Sequence, residues 1–183
     1  MFKLNGKPIT IDRDLTIGDI TYPAGSLRDL ALRAALGIIE EPDPVRPDER
    51  YYYVTDNDDG SLTATPKPLD VVRGLKLEEI ASNRYAREVG GVALPGGMKI
   101  KTDRESQSLI ASALMRVQRN PALQIDWKGE NGWVRLDKAA VESIADAVGN
   151  HVQACFTAER VKTDALMALK SFNAIIAFDT AVE

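Results

Sequence analysis

One cysteine and one histidine, Cys155 and His151, stand in 183 residues. A single cysteine excludes an internal disulfide, and small secreted domains usually carry several. A zinc site built only from thiolate and imidazole is excluded too, because at least three protein ligands are needed. No apolar run approaches the roughly 20 residues that cross a bilayer. The opening MFKLNGKPIT has no apolar stretch of the signal-peptide kind. The chain is therefore expected to stay in the cytoplasm where it is made, or to leave it only within an assembly. Positive charge is not in excess either: the net charge is −4 and the pI about 5.2. Such a chain exerts no general pull on phosphate backbones or anionic lipid, so neither nucleic acid nor membrane is the expected partner. Nothing resembles GxSxG, a P-loop or GxGxxG in its proper context.

What is present is the balance of a globular protein, 44% apolar and 27% charged. The length suits one ordinary domain or two small ones. A composition shift divides the chain near residue 67, with most prolines before it and mostly helix-forming residues after it. The expectation is an α+β fold: a small β-rich region over 1–67, then a mainly helical region over 68–183 with an inserted hairpin and a long C-terminal helix.

In the first region, residues 2–4 and 7–11 flank Asn5-Gly6, a pair suited to a turn with positive φ at both positions. Residues 15–22 form a further strand, Ser26 caps a short helix that ends at Gly37, and 38–39 is another strand. The run EEPDPVRPDER at 40–50 reads as an exposed, semi-stiff connector. A second hairpin pairs 51–55 with 62–65 around Asn57-Asp58-Asp59-Gly60.

Helix is then expected over 69–89, followed by a hairpin turning at Pro95-Gly96-Gly97. Thr102 with Glu105 three residues later forms a capping box for a helix to about 119, its inner face being Leu109, Ile110, Ala113, Leu114 and Val117. A hairpin of 123–127 and 133–136 places Trp127 and Trp133 near each other across the strands, where they staple it to the helices. Asp137 caps the last helix, running to about 172 or beyond. Its Val141, Ala145, Val148, Val152 and Cys155, then Leu166, Leu169, Asn173 and Ile176, are spaced four and three apart, as in a heptad seam that Glu159 and Lys162 interrupt.

Few residues invite a chemical role. His151 and Cys155 lie four apart on that helix, on one face, but without partners they fit a structural pair better than a metal or a nucleophile. Asp56, Asp58 and Asp59 crowd one turn, where Asp and Asn serve local hydrogen bonding; the spacing is wrong for an EF-hand. Tyr51 and Tyr53 would share one strand face and Tyr52 the other, so at least one ring is expected at a protein interface.

Two stretches resemble known sequences. The larger carries Lys76-Leu77, Ile80, Arg84 and Glu88, then Ile100-Lys101-Thr102-Asp103-Arg104-Glu105-Ser106-Gln107. It continues through Ile125-Asp126-Trp127-Lys128, Gly132-Trp133 and Leu136-Asp137 to His151-Val152-Gln153-Ala154-Cys155-Phe156 and Glu159. In this order and spacing the blocks resemble a domain-of-unknown-function family found in tailed-phage proteins. The opening half is similar, more loosely, to N-terminal segments of phage tail proteins, through Tyr22-Pro23-Ala24, residues 33–38, Asp48, Arg50-Tyr51-Tyr52 and Asp58 to Lys67.

The resemblance implies a bacteriophage tail-associated role without a reaction, a metal or a cofactor. The expectation is a tail-fibre or baseplate component of the virion, or a tail-fibre assembly factor in the host cytoplasm. It would bind fibre or baseplate proteins through Tyr51, Tyr53, Leu166, Leu169 and Ile176. The heptad seam allows a homo-oligomer, or packing on the 102–119 helix within one chain. A second expectation is a small regulatory or inhibitory phage protein that binds a host target. An enzyme is the weakest, and would show itself by perturbed carboxylates such as Asp126, Glu130 or Asp137 in a deep pocket.

Overall fold

The computed structural model describes residues 1–95, 97–129 and 132–182, and is α+β, 45% helical and 21% strand. Two compact units divide the chain, Met1–Pro68 and Leu69–Glu183.

In the first unit, β1 (Phe2–Leu4) pairs antiparallel with β2 (Lys7–Ile9) across Asn5-Gly6, both at positive φ. The expected strand over 15–22 is instead a tight hairpin, β3 (Leu15–Ile17) and β4 (Ile20–Tyr22). Gly18 at φ 61° reverses the chain there, a conformation glycine adopts without strain. Ser26 does not cap the helix that follows. A short 3-10 turn, Ser26–Arg28, intervenes, and Asp29 caps α1 (Leu30–Ala35) by accepting from the N–H groups of Ala31 and Leu32. Next, β5 (Ile39–Glu40) returns to the free edge of β1. Ile11, Leu27 and Ile38 form the core of this unit.

The proline-rich stretch is pinned by exposed ion pairs, Arg46 to Glu49 at 2.6 Å and to Asp56 at 2.8 Å among them. Exposed pairs of this kind stabilise little. Next, β6 (Tyr52–Asp56) pairs with β7 (Leu62–Pro66).

The second unit opens with α2 (Leu69–Glu88). A small hairpin follows, β8 (Val92–Ala93) and β9 (Lys99–Ile100), then α3 (Arg104–Arg119). β10 (Ile125–Gly129) and β11 (Gly132–Leu136) form a second hairpin, which leads into α4 (Lys138–Ala168). Its core is a contiguous cluster in which Ile110, Ala113 and Val117 of α3 meet Val141, Ile144 and Val148 of α4, with Ile100 and Leu136 closing the ends. The seam read from the heptad spacing is thus filled within one chain, by α3 and, further along, by α2. Leu109, expected on the inner face of α3, is 54% exposed.

The last helix also stops earlier than its sequence suggests. At Leu169 the backbone becomes extended, and Ser171 caps a separate α5 (Phe172–Ile176) by accepting from the Ala174 N–H at 3.3 Å. The Leu169 carbonyl freed by the break accepts from Arg73 Nη2 at 2.6 Å. The chain then returns along α2, where Asn83 Nδ2 donates to the Thr180 carbonyl at 2.9 Å. Leu166 and Ile175, on either side of the break, are fully buried.

Truncating Leu166 to alanine should therefore cost about 2–5 kcal/mol. Truncating Trp133, 72% exposed, should change stability by no more than about 0.5 kcal/mol. Urea unfolding of the two variants, followed by circular dichroism, measures both.

Candidate functional site

α2 carries a buried stripe with a period of four: Val72, Lys76 and Ile80. Continuing that period reaches Arg84 and Glu88. Charged residues on this buried stripe must meet partners, since an unpaired charge out of water is strongly unfavourable. The fold supplies them from three separate places.

The Glu88 side chain is fully buried. Arg84 Nη1, one turn earlier, donates to its Oε2. From the first turn of α3, Arg104 Nη2 reaches Oε1 at 3.1 Å and Gln107 Nε2 donates to the same oxygen at 3.2 Å. Arg84 turns its Nε to Glu159 Oε2 on α4, at 2.9 Å, and stacks over the Phe156 ring with 4.6 Å to the centroid. Two guanidinium groups thus face two carboxylates where α2, α3 and α4 meet. Burial works against the Arg84 charge, but the hydrogen bonds to Glu159 and Glu88 outweigh it and hold its pKa above the ordinary arginine value.

Thr102 closes the node from the backbone side. Its hydroxyl donates to the Glu88 carbonyl and accepts from the Gly91 N–H at 2.9 Å. It therefore satisfies polar groups left over at the C-terminus of α2. Gly91 is required there: its φ is 89°, and a Cβ would stand 3.1 Å from the Ile100 carbonyl oxygen. Gln107 Nε2 also donates to the Thr102 carbonyl at 2.7 Å.

This corrects the expected capping box. The cap of α3 is Asp103, one residue later, whose carboxylate accepts from both the N–H and the hydroxyl of Ser106 at 2.9 Å. Those bonds hold the Asp103 carboxyl below the usual range against a smaller effect of burial. Thr102 is already engaged across the chain, and Glu105 is exposed.

His151 and Cys155 border the same node. His151 Nε2 lies 3.1 Å from the Arg87 carbonyl oxygen and 3.9 Å from Cys155 Sγ. A carbonyl only accepts, so that bond requires the proton on Nε2. The nitrogen facing the thiol is then no base for it. Burial pushes the Cys155 thiol up, and the nearby Arg87 charge only partly opposes this. A protonated, buried thiol is a poor nucleophile. No group of three His, Cys, Asp or Glu side chains able to hold a metal occurs among the described residues.

The remaining expected residues are dispersed. Tyr51 and Tyr53 do not share a strand face. Tyr51 precedes β6 in a turn, its N–H bonded to the Asp48 carbonyl, and is 7% exposed, whereas Tyr53 is 56% exposed. Leu166 is buried within its own unit, while Leu169 and Ile176 are half-buried. Trp127 and Trp133 are not neighbours across the hairpin. Trp127 sits opposite Val134 and Trp133 opposite Lys128, so successive pairs point the indoles to opposite faces. Trp127 packs on the core, and Trp133 lies under the Lys128 ammonium, 5.9 Å from it.

Asp137 caps α4, accepting from the Ala140 N–H at 2.9 Å. Asp126 pairs with Arg135 at 3.1 Å on the exposed face of the hairpin, and Glu130 lies outside the described residues. In the 56–60 turn, Asp59 accepts from the N–H and hydroxyl of Ser61, and Asp56 binds Arg46.

Residues 71–182 match the family described as Domain of unknown function (DUF4376). The chain belongs to this family. The DUF4376 domain thus begins within α2 and includes the whole charged node, while the first unit lies outside it. No curated protein and no solved structure matches the chain. Arg84, Glu88, Thr102, Arg104, Gln107, His151, Cys155, Phe156 and Glu159, all among the residues that carry the resemblance, meet at or border this one junction. Sequence reasoning gave Arg84 and Glu88 no role. The signal was there in the stripe of period four.

Replacing Glu88 by alanine removes the buried acceptor shared by Arg84, Arg104 and Gln107, while Arg84 keeps Glu159 and Arg104 keeps its solvent, and should destabilise the domain by about 1–3 kcal/mol. Thr102→Val keeps the shape, strands the Glu88 carbonyl and the Gly91 N–H, and should cost about 1–3 kcal/mol. Denaturant unfolding of both variants tests the node; equal stability to the parent in the Glu88 variant would show that the junction is held by apolar packing alone.

Proposed function

We propose that the protein is a non-enzymatic component or assembly factor of a bacteriophage tail, acting by binding fibre or baseplate proteins. The observation that carries this reading is the convergence just described. The residues through which the sequence resembles tailed-phage proteins build a charge-balanced junction inside the fold. Its thiol is held protonated and its imidazole faces that thiol with a nitrogen already donating. Acids once considered for chemistry serve as a helix cap, Asp137, and a surface ion pair, Asp126. What remains for the surface is recognition, and exposed rings such as Trp133 and Tyr53 are of the type enriched at interfaces.

Mass spectrometry of purified virions and of fibre-assembly intermediates, with affinity capture of the tagged protein from infected cells, tests this. A virion component appears in mature particles. An assembly factor appears with fibre or baseplate proteins in intermediates and is missing from particles. Capture of a host enzyme with no tail protein, and absence from both fractions, would replace the tail reading by that of a regulator of a host target.

A further inference from the structure

Nothing local ends α4. No glycine or proline occurs between Asn150 and Glu183, and Leu169 and Lys170 are good helix formers. Yet the backbone at Leu169 is extended, with φ −70° and ψ 138°. Such a break takes from the last carbonyls of α4 and the first N–H groups of α5 the bonds a continuous helix would give them. The substitutes are few. The Leu169 N–H reaches back only three residues, to the Leu166 carbonyl at 3.2 Å. Ser171 caps α5 at 3.3 Å, and Arg73 Nη2 takes the Leu169 carbonyl. The Nε of that same guanidinium is buried without a partner among the described residues.

What holds the bend is the docking of the segment beyond it. Ile175 is fully buried and Val182 is 9% exposed. α2 and α4 grip the extended end largely by its main chain. Lys76 Nζ lies 3.4 Å from the Phe178 carbonyl oxygen, and Asn83 Nδ2 donates to the Thr180 carbonyl. Lys162 Nζ donates to both the carbonyl and the carboxylate of Asp179, each at 3.1 Å. Only residues 169–171 join this segment to α4. None of these contacts depends on which copy of the chain supplies residues 172–182.

We propose that residues 172–182 exchange between two copies of the chain. α4 then runs straight through residues 169–171 into α5, and the end of each copy fills the place between α2 and α4 of the other. The burial of Ile175 and Val182 and the grip on residues 178–180 are kept. The straightened helix gains the bonds between residues four apart that the bend forfeits, against one Arg73 bond and the Ser171 cap. Exchange of an identical element gives a closed, two-fold pair whose population rises with concentration. The proposal rests on the hinge alone, so it and the tail assignment can each fail without the other.

The full chain is unfolded in urea, refolded at low and at high protein concentration, and sized by light scattering. A dimer is expected after refolding at high concentration, and it should persist on dilution, because release requires the segment to undock. Lys170→Pro should abolish it and leave a folded monomer. Leu169 already has the extended backbone that favours a following proline, whereas proline within a helix removes a bond and clashes with the preceding turn. Ser171→Ala removes the cap of the bent form and should raise the association constant roughly fivefold or more. Asn83→Cys/Thr180→Cys, oxidised after refolding, separates exchange from side-by-side pairing, because Asn83 Nδ2 and Thr180 Oγ1 stand 3.2 Å apart. Cys155 is fully buried and does not compete. An exchanged dimer becomes covalently linked between chains, and this readout decides even where the proline variant fails to fold. Monomer at every concentration, a dimer whose disulfides stay within each chain, or a dimer indifferent to Lys170→Pro overturns the proposal.

Discussion

The burial of one carboxylate organises the second unit. Glu88 has left water completely, and a carboxylate there is tolerable only when its charge and its lone pairs are both answered. Arg84, Arg104 and Gln107 answer them from two helices, and Glu159 adds a second carboxylate to Arg84 from a third. Apolar packing between helices is non-directional and tolerates small slides. A multiply bonded carboxylate does not, because each donor must meet a lone pair within a narrow range of distance and angle. The node therefore sets the register among α2, α3 and α4, while the cluster around Ile110, Val117 and Val141 holds them together.

The α+β character was legible because local chemistry decides it. Asn5-Gly6 has the residues its turn needs, Asp137 has an N–H to accept from, and the prolines avoid the long helices. The misplacements have a common cause: the deciding partner is far away in sequence. Thr102 looks like a cap until the Glu88 carbonyl and the Gly91 N–H claim its hydroxyl. The late helix looks continuous until Arg73 takes the Leu169 carbonyl and Ser171 restarts the chain. The heptad spacing from Val141 to Leu166 is real, but spacing cannot say which helix fills it. Here α3 and α2 do so.

The charged node was partly legible. Its members appear among the residues that carry the family resemblance, yet nothing in their local surroundings joins them. Arg84 and Glu88 stand 16 to 75 residues from Arg104 and Glu159. A cluster of polar and charged residues invites a search for catalysis. Buried charge networks need the same residue types, because each charge taken out of water requires a partner. The His151–Cys155 pair illustrates this: it has the residue types of a reactive dyad and the hydrogen bonding of a packed interior.

The pairing of β10 with β11 has an optical consequence. Its register turns the two tryptophans of the chain to opposite sides of the ribbon, one against the core and one into solvent beside an ammonium group. The protein thus carries two built-in fluorophores with different surroundings. Trp127 senses whether the apolar cluster is intact, and its emission shifts to the red when that cluster opens. Trp133 is open to dissolved quenchers, and the neighbouring Lys128 draws iodide towards it in preference to caesium. One emission spectrum, resolved by quencher, separates events inside the fold from events at its surface.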